Sequence, residues 1–356
     1  MTLAYGVVRP EGGEPRVCAR IDGVVRDLSG LDDVFARPSL NAFMARGPDF
    51  RRATAERAGA GPAIEGEPLL AFEVADYVDF YSSLEHATNL GRLFRPDAEP
   101  LLPNWRWLPV GYHGRAGTIV ASGTPIRRPY GQRKPPDAPA PTFGPSTRLD
   151  IELEIGFVIG APSTLGEPVR VVDALDHVFG LVLVNDWSAR DLQAWEYQPL
   201  GPFLGKSFAT SISAWVVPLE ELERHRVPLP PQQPEPLEHL RTEPWAYDLA
   251  LEVELNGAVV SRTSARHLYW SPAQQVAHLT SNGASLRTGD LLASGTISGP
   301  ERGTRGSLIE LTSNGTEPLE LPDGTTRTFL EDGDEVVLRA PQLDLEVRGR
   351  VTDDKK

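Results

Sequence analysis

The sequence predicts a β-dominated soluble protein, and three observations carry that reading. Leu149–Val158 reads LDIELEIGFV, with Leu149, Ile151, Leu153 and Ile155 alternating with Asp150, Glu152 and Glu154. Strict alternation marks a strand, whose neighbouring side chains point to opposite faces. Short apolar runs are separated by Asp22-Gly23, Asn256-Gly257, Asp323-Gly324 and Asp332-Gly333, the dipeptides that favour tight turns. Strands do not alternate regularly with long helical patterns, which argues against a doubly wound α/β sheet.

In chain order, residues 4–28 read as short strands with a hairpin at Asp22-Gly23. Leu31 to Ala60 is mixed, with weak helical character. Residues 59–68 are rich in Gly, Pro and Ala and read as a linker, which places a domain boundary near 62–76. Thr118–Pro129, Leu149–Ile159 and Gly180–Asn185 read as strands. Pro228–Pro244 is proline-dense and reads as an extended surface arm. Tyr247–Arg262 is a hairpin around Asn256-Gly257. Ser271–Gly283 carries helix punctuation: Ser271 as N-cap, Pro272 in the first turn, Gln274 at the capping-box position and Gly283 past the end. Leu291–Ile297, Ser307–Thr312 and Glu335–Arg339 follow as strands. There is no internal repeat and no heptad pattern.

The 356 residues carry a formal net charge of −14. Nucleic acid and anionic membrane surfaces need clustered positive charge, so neither is expected as a partner. The single cysteine, Cys18, excludes an intrachain disulfide and a multi-cysteine metal site. The stretch MTLAYGVVRPEGGEPRV lacks a basic start before a long apolar core, and no apolar run approaches the ~20 residues of a membrane span. The expectation is a cytoplasmic protein.

Several familiar motifs fail. GPFLGKS has one residue too few between its glycines for a phosphate loop, and FATSISAWVV after it reads as strand, not helix. G-x-S-x-G, H-E-x-x-H and C-x-x-C are absent. What remains is a constellation. Asp186 ends the apolar run GLVLV, and Arg190, Gln193 and Tyr197 follow at helical spacing. Asp79, Tyr81, His86 and Arg95 lie close together in YVDFYSSLEHATNLGRLFR. His113, in a glycine-rich turn, reads as structural. Lysine is nearly absent, with Lys134, Lys206, Lys355 and Lys356 the whole set, which draws attention to Lys206 among apolar residues and glycines.

A strand with one wet face would also explain Asp150, Glu152 and Glu154. The sharper alternative is a cation, because like charges on one face repel. Asp79, Glu152, Glu154 and Asp186 are oxygen donors that suit Ca²⁺ or Mg²⁺. Arg190, Gln193 and Lys206 are donors fit for an oxyanion, and His86 is a candidate general base. The set describes metal-assisted hydrolysis.

These residues lie in longer matches. DFYSSLEHATNLG, LLPNWRWLPVGYHGRAG, SGTPIRRPYGQ, LDIELEIGFVIG, LVLVNDWSARDLQAWEYQPLGPFLGKSF and RTGDLLASGTISGPE together resemble the fumarylacetoacetate hydrolase family. The resemblance runs from about Tyr5 to the mid-340s, strongest over Asp76–Ala209 and Leu286–Glu310. It implies a small N-terminal SH3-like β-barrel domain (residues 1–70), a larger C-terminal mixed β-roll catalytic domain (76–352) and a homodimer. It implies Asp79, Glu152, Glu154 and Asp186 as ligands of a catalytic Ca²⁺ or Mg²⁺. Lys206 and Thr210 match positions beside a second, structural cation, either Mg²⁺ or a monovalent ion. His86 matches the general base and Glu310 the residue orienting it. Tyr81, Arg95, Gln193, Tyr197 and Thr296 match substrate contacts. Arg190, Gln193 and Lys206 match the groups around the oxyanion.

The implied reaction is hydrolysis of the C–C bond of 4-fumarylacetoacetate to fumarate and acetoacetate, the last step of tyrosine and phenylalanine degradation. His86 activates the water and the cation holds the enolate leaving group. The alternatives are another β-diketone or β-keto acid hydrolase or decarboxylase of the same fold, or a non-catalytic metal-bound protein. Ala209 departs from the glycine expected beside the second cation, and residues 224–245 match poorly. The resemblance assigns no role to Asp150.

Overall fold

The computed structural model describes residues 2–352. Among them, the dominant feature is a 12-stranded mixed sheet. Its strands are β1 (Leu3–Arg9), β2 (Arg16–Ile21), β3 (Val24–Asp27), β4 (Glu67–Leu69), β5 (Tyr77–Phe80), β6 (Gly111–His113), β7 (Ile119–Ala121), β8 (Leu153–Ile159), β9 (Val178–Asp186), β10 (Thr210–Ile212), β11 (Trp215–Pro218) and β12 (Leu291–Ala293). The main order is β3-β2-β1-β11-β9-β8-β12-β5-β6, with β10 bridging β9 and β7, and β4 on β1. A five-stranded sheet contains the hairpin Ala250–Leu255/Ala258–Ser264, then Glu335–Ala340, Leu345–Thr352 and Ile126–Arg127.

The hairpins at Asp22-Gly23 and Asn256-Gly257 form as expected, with all four turn residues at positive φ. That backbone twist matches the twist of the flanking strands. The helices that matter for the site are α1 (Leu84–Phe94), α2 (Arg190–Glu196), α3 (Pro272–Thr280) and α4 (Leu308–Leu311). In α3 the capping box is complete: Ser271 accepts from the Gln274 N–H and Gln274 reaches back to the Ser271 N–H.

The N-terminal strands do not close a barrel. β1 pairs in turn with β2, β4 and β11, so the expected SH3-like unit is continuous with the large sheet, and Ala63 makes only an isolated bridge to Arg26 on β3. Four other expectations are corrected. Thr118–Pro129 is two strands in two sheets, because Gly123 turns the chain at φ +92°. Leu149–Ile159 is interrupted: Leu149–Asp150 pairs with Ser188–Ala189, and β8 begins only at Leu153. Leu291–Ile297 is strand only to Ala293. Ser307–Thr312 is not a strand but holds the single-turn helix α4, because the Asp150 carboxylate accepts the Leu308 and Ile309 N–H groups at 2.7 and 3.1 Å. That cap comes from a residue far along the chain, which local pattern cannot show.

The proline-dense arm is also less free than expected. Gln232 and Leu240 are buried, and the Gln274 amide on α3 donates to Gln232 Oε1 at 2.8 Å. No helix among the described residues is long and apolar enough to cross a membrane.

Two apolar cores flank the sheet. Leu153, Ile155, Phe157 and Ile159 of β8 enter one, and Val158 enters the other with Val182, Val184, Leu291 and Ala293. Residues 149–159 are therefore buried on both faces, and the wet-face reading fails. The apolar face of β8 stays apolar throughout. On the opposite face Val158 is apolar, whereas Glu154, at the N-terminal end, is acidic.

Candidate active site

Sheet register brings that acidic end together. β8 runs antiparallel to β9, with Leu153 opposite Asn185 and Glu154 opposite Val184. It also runs antiparallel to β12, with Gly156 opposite Ala293. β12 runs parallel to β5, with Ala293 opposite Asp79. The start of β8 and the ends of β9, β12 and β5 thus meet at one edge of the fold. Carboxylate oxygens of Asp79, Glu154 and Asp186 lie within 4.8 Å of one another, all buried. Gly295, just past β12, is at φ +76° and its N–H donates to Glu154 Oε2 at 3.0 Å. A Cβ there would stand 2.2 Å from the Phe80 carbonyl oxygen, so the close approach needs glycine.

Glu152 is placed differently. It lies in the break before β8 and turns its carboxylate to Lys206 Nζ, by a short hydrogen bond, and to Arg190 Nη2 at 2.9 Å. Lys206 Nζ also donates to Asp186 Oδ2 at 2.7 Å, and the Thr210 hydroxyl to Asp186 Oδ1 at 2.7 Å. Arg190 Nε donates to Asp150 Oδ2 at 2.8 Å. The role left open for Asp150 is visible here: one buried carboxylate caps α4 and anchors Arg190.

The sequence reading missed Arg115. Its Nη2 donates to Asp79 Oδ2 at 2.7 Å and to Asp186 Oδ2 at 2.8 Å. The available signal is the surplus of carboxylates over lysine and arginine among the candidate residues, whereas HGRAG by itself reads as a glycine-rich turn around His113. His113 itself is exposed and pairs with Asp76 at 2.7 Å.

Charge decides what the cluster can hold. Two ionised carboxylates 4.8 Å apart repel by about 3 kcal/mol even at an effective dielectric near 20. The connected network has five carboxylates (Asp79, Asp150, Glu152, Glu154, Asp186) and three cations (Arg115, Arg190, Lys206), an excess of two negative charges when all are ionised. The pKa directions follow. Burial, then Asp79, Glu152 and Asp186, push Glu154 well above the usual carboxylate range. Burial also raises Asp79, against the pull of Arg115. Burial would raise Glu152 too, but Lys206, Arg190 and His86 overcome it and hold the group below its usual range. Glu154 Oε1 is buried without a hydrogen-bond partner. An orphaned carboxylate oxygen, two neighbouring carboxylates and a deficit of two positive charges fit a divalent, oxygen-seeking cation.

The other half of the site rests on α1. Ser83 caps the helix, accepting from the His86 N–H at 3.3 Å, and His86, Ala87, Leu90 and Gly91 form the buried face. His86 Nδ1 lies 2.7 Å from Glu310 Oε2. An ionised carboxylate only accepts, so Nδ1 carries the proton and Nε2 is left free as a base. Glu310 also accepts from Ser298 and Ser307 hydroxyls at 2.9 and 2.7 Å and from the Asn89 amide at 2.9 Å. Burial alone would raise its pKa, but His86, with Asn89 and Ser307, holds it down to about 2.

A cavity of about 390 Å³ joins both halves. Asp79, Tyr81, His86, Arg95, Glu152, Arg190, Gln193, Tyr197, Lys206 and Thr296 line it, as does Tyr112, which the sequence reading did not select. Arg190, Gln193 and Tyr197 do share one face of α2 and its continuation, and Arg190 Nη1 donates to Gln193 Oε1 at 3.2 Å. Arg95 gives Nη2 to the Pro100 carbonyl and keeps Nε buried without a partner. The Thr296 hydroxyl is likewise unpartnered. Glu154, Asp186, Thr210 and Glu310 stand behind the lining.

The fumarylacetoacetate hydrolase C-terminal family model matches residues 76–351. A fumarylacetoacetase from Homo sapiens is 45% identical, the match covering 94% of this chain and 90% of that protein. One from Arabidopsis thaliana is also 45% identical, over 94% and 89%. Among solved structures, a fumarylacetoacetate hydrolase from psychrophilic Exiguobacterium antarcticum superposes with a TM-score of 0.65 over 99% of this chain and 100% of that one, at 18% identity, a likeness of fold. The family domain spans the strands and helices that build the carboxylate cluster and the His86–Glu310 pair, and the identity extends along nearly the whole chain: this protein belongs to the fumarylacetoacetate hydrolase family.

Proposed function

We propose that this enzyme hydrolyses the C–C bond of 4-fumarylacetoacetate, giving fumarate and acetoacetate. The observation that carries the reading is that one cavity is lined both by a carboxylate-oriented imidazole, His86, and by Asp79 of a carboxylate cluster that lacks two positive charges and otherwise lies just behind the wall. Asp79, Glu154 and Asp186, with Glu152 beside them, would hold a Ca²⁺ or Mg²⁺ ion. Such an ion supplies electrophilic pull on the oxygens of a β-diketone.

The chain's own groups account for the proton and charge movements. His86 Nε2 takes a proton from water, and Glu310 stabilises the imidazolium that forms. The water oxygen bonds to the carbonyl carbon on the fumaryl side, whose oxygen becomes an oxyanion. Arg190, Gln193 and Lys206 line the cavity as donors to that oxygen, and the ammonium of Lys206 has one proton beyond those given to Glu152 and Asp186. Collapse re-forms the C=O bond and breaks the C–C bond. The electron pair leaves with the acetoacetate carbon, which takes the proton carried by His86. Arg95, with Nε free, suits a substrate carboxylate, and Tyr81, Tyr197 and Thr296 suit its remaining oxygens.

A second, structural cation beside Lys206 and Thr210 is carried by the resemblance; both side chains donate to Asp186, at 2.7 Å each. We read residues 1–70 as an N-terminal domain on the strength of the β1–β3 meander and its β4 partner, with 76–352 as the catalytic domain. A homodimer is carried by the resemblance. The net charge of −14 and the lone cysteine suit a cytoplasmic protein that binds neither nucleic acid nor membrane.

The test is loss of diketone absorbance with fumarylacetoacetate, after chelation and again with Ca²⁺ or Mg²⁺ restored. Metal-dependent loss is expected. Absence of turnover, or a higher kcat/KM on acylpyruvates or oxaloacetate, would overturn the reading.

A further inference from the structure

Arg115 is pinned at both ends. Its backbone sits at φ +62°, in the left-handed region, after Gly114 at φ +125°. Its carbonyl accepts from the Thr118 N–H and hydroxyl at 3.1 and 3.0 Å. Its guanidinium lies over the rings of Tyr77 and Tyr112, 4.6 and 4.9 Å from the centroids. Its side chain is only 4% exposed. From there it bridges Asp79 and Asp186, which sit on different strands. Packing against two rings leaves the group no room to swing aside, and a guanidinium does not lose its proton in a protein.

We infer that Arg115 is a built-in counter-charge that tunes the carboxylate cluster to a doubly charged cation rather than a triply charged one. The inference rests on the reading that the cluster holds a divalent ion. With Arg115 the network lacks two positive charges; without it, three. A side chain that served only to hold Asp79 and Asp186 in place would change affinity for all cations alike. One that sets charge changes the preference between charges, because the lost repulsion is proportional to the charge of the incoming ion. Arg115 is thus a positioning and charge-setting residue, since it is not among the residues that line the cavity.

The experiment measures dissociation constants for Ca²⁺ by calorimetry and for Tb³⁺ by luminescence, on the full-length protein without substrate. Arg115→Met keeps an unbranched stem between the two rings and removes the charge. Arg115→Lys keeps the charge and loses the bridging fork. The ratio Kd(Ca²⁺)/Kd(Tb³⁺) should rise about tenfold or more in Arg115→Met and stay within about threefold of wild type in Arg115→Lys. If Arg115→Met does not fold by circular dichroism, Arg115→Gln, which retains an N–H donor, takes its place under the same criterion. An unchanged ratio in the neutral variant overturns the inference, as does an equal rise in Arg115→Lys. Failure of the wild-type protein to bind Ca²⁺ or Mg²⁺ at all would instead overturn the metal reading.

Discussion

His86 and Glu310 are 224 positions apart in the chain and 2.7 Å apart in the fold. Glu310 sits on a single turn of helix whose first N–H groups are capped by Asp150, and Asp150 also holds Arg190. The base, the group that orients it and a cation of the cavity wall are therefore one connected piece of structure.

Replacing His86 by alanine removes the base and leaves the carboxylate cluster intact. The expected result is a fall in kcat on the order of 10²–10⁴, with the dissociation constant for Ca²⁺ within about threefold of wild type. Stopped-flow turnover and calorimetry check the two halves. Undiminished kcat would remove His86 from the mechanism.

Glu310 makes stability depend on acid. Its folded pKa, about 2, lies below its ordinary value because His86, with Asn89 and Ser307, outweighs burial. The stabilisation is therefore complete above about pH 4.5 and is lost as pH falls towards 2, a difference of roughly 3 kcal/mol. Urea unfolding of wild type and Glu310→Gln between pH 2 and 7 should show the two curves converging at the acid end. Parallel curves would contradict the assignment.

Lys206→Arg tests whether compactness matters. The ammonium is 3% exposed and wedged between Glu152 and Asp186, with Arg190 already on Glu152 and Arg115 on Asp186. A planar guanidinium needs space that neighbouring cations occupy. The variant should lose about 1–3 kcal/mol of stability and ~10²-fold or more in kcat. A wild-type melting temperature and kcat would show the site tolerates either cation.

Asp150→Asn keeps the shape and removes the charge. The wild-type carboxylate accepts from Ile151, Leu308, Ile309 and Arg190. An amide would set a donor against donors and leave Arg190 buried with Glu152 as its one anionic partner among those described, so a loss of about 3–5 kcal/mol is expected. kcat should fall with KM little changed, since Arg190 and Glu310 would lose position rather than contact with substrate. Destabilisation with full kcat would make Asp150 a helix cap and no more.

The sequence alone carried much of this. Local rules placed the turns at Asp22-Gly23 and Asn256-Gly257 and the capped helix after Ser271, because each depends on neighbours a few residues away. The acidic residues of LDIELEIGFV pointed to a surplus of carboxylates needing a cation, and the motifs around His86, Asp186 and Lys206 carried the family. Other features were invisible for a physical reason. SLIEL has a strand-like pattern, yet it turns into helix because Asp150, more than 150 residues earlier, satisfies its first N–H groups. Glu152 looks equivalent to Glu154 by period, but a break before β8 aims it at Lys206 and Arg190. Arg115 looks like one arginine among many in an arginine-rich chain, and only the meeting of β5, β9 and the loop after β6 makes it the cation between two acids. Residue types and spacings determined which chemistry was available, whereas long-range register decided which charges face one another, because Coulomb energy depends on distance in space and not along the chain.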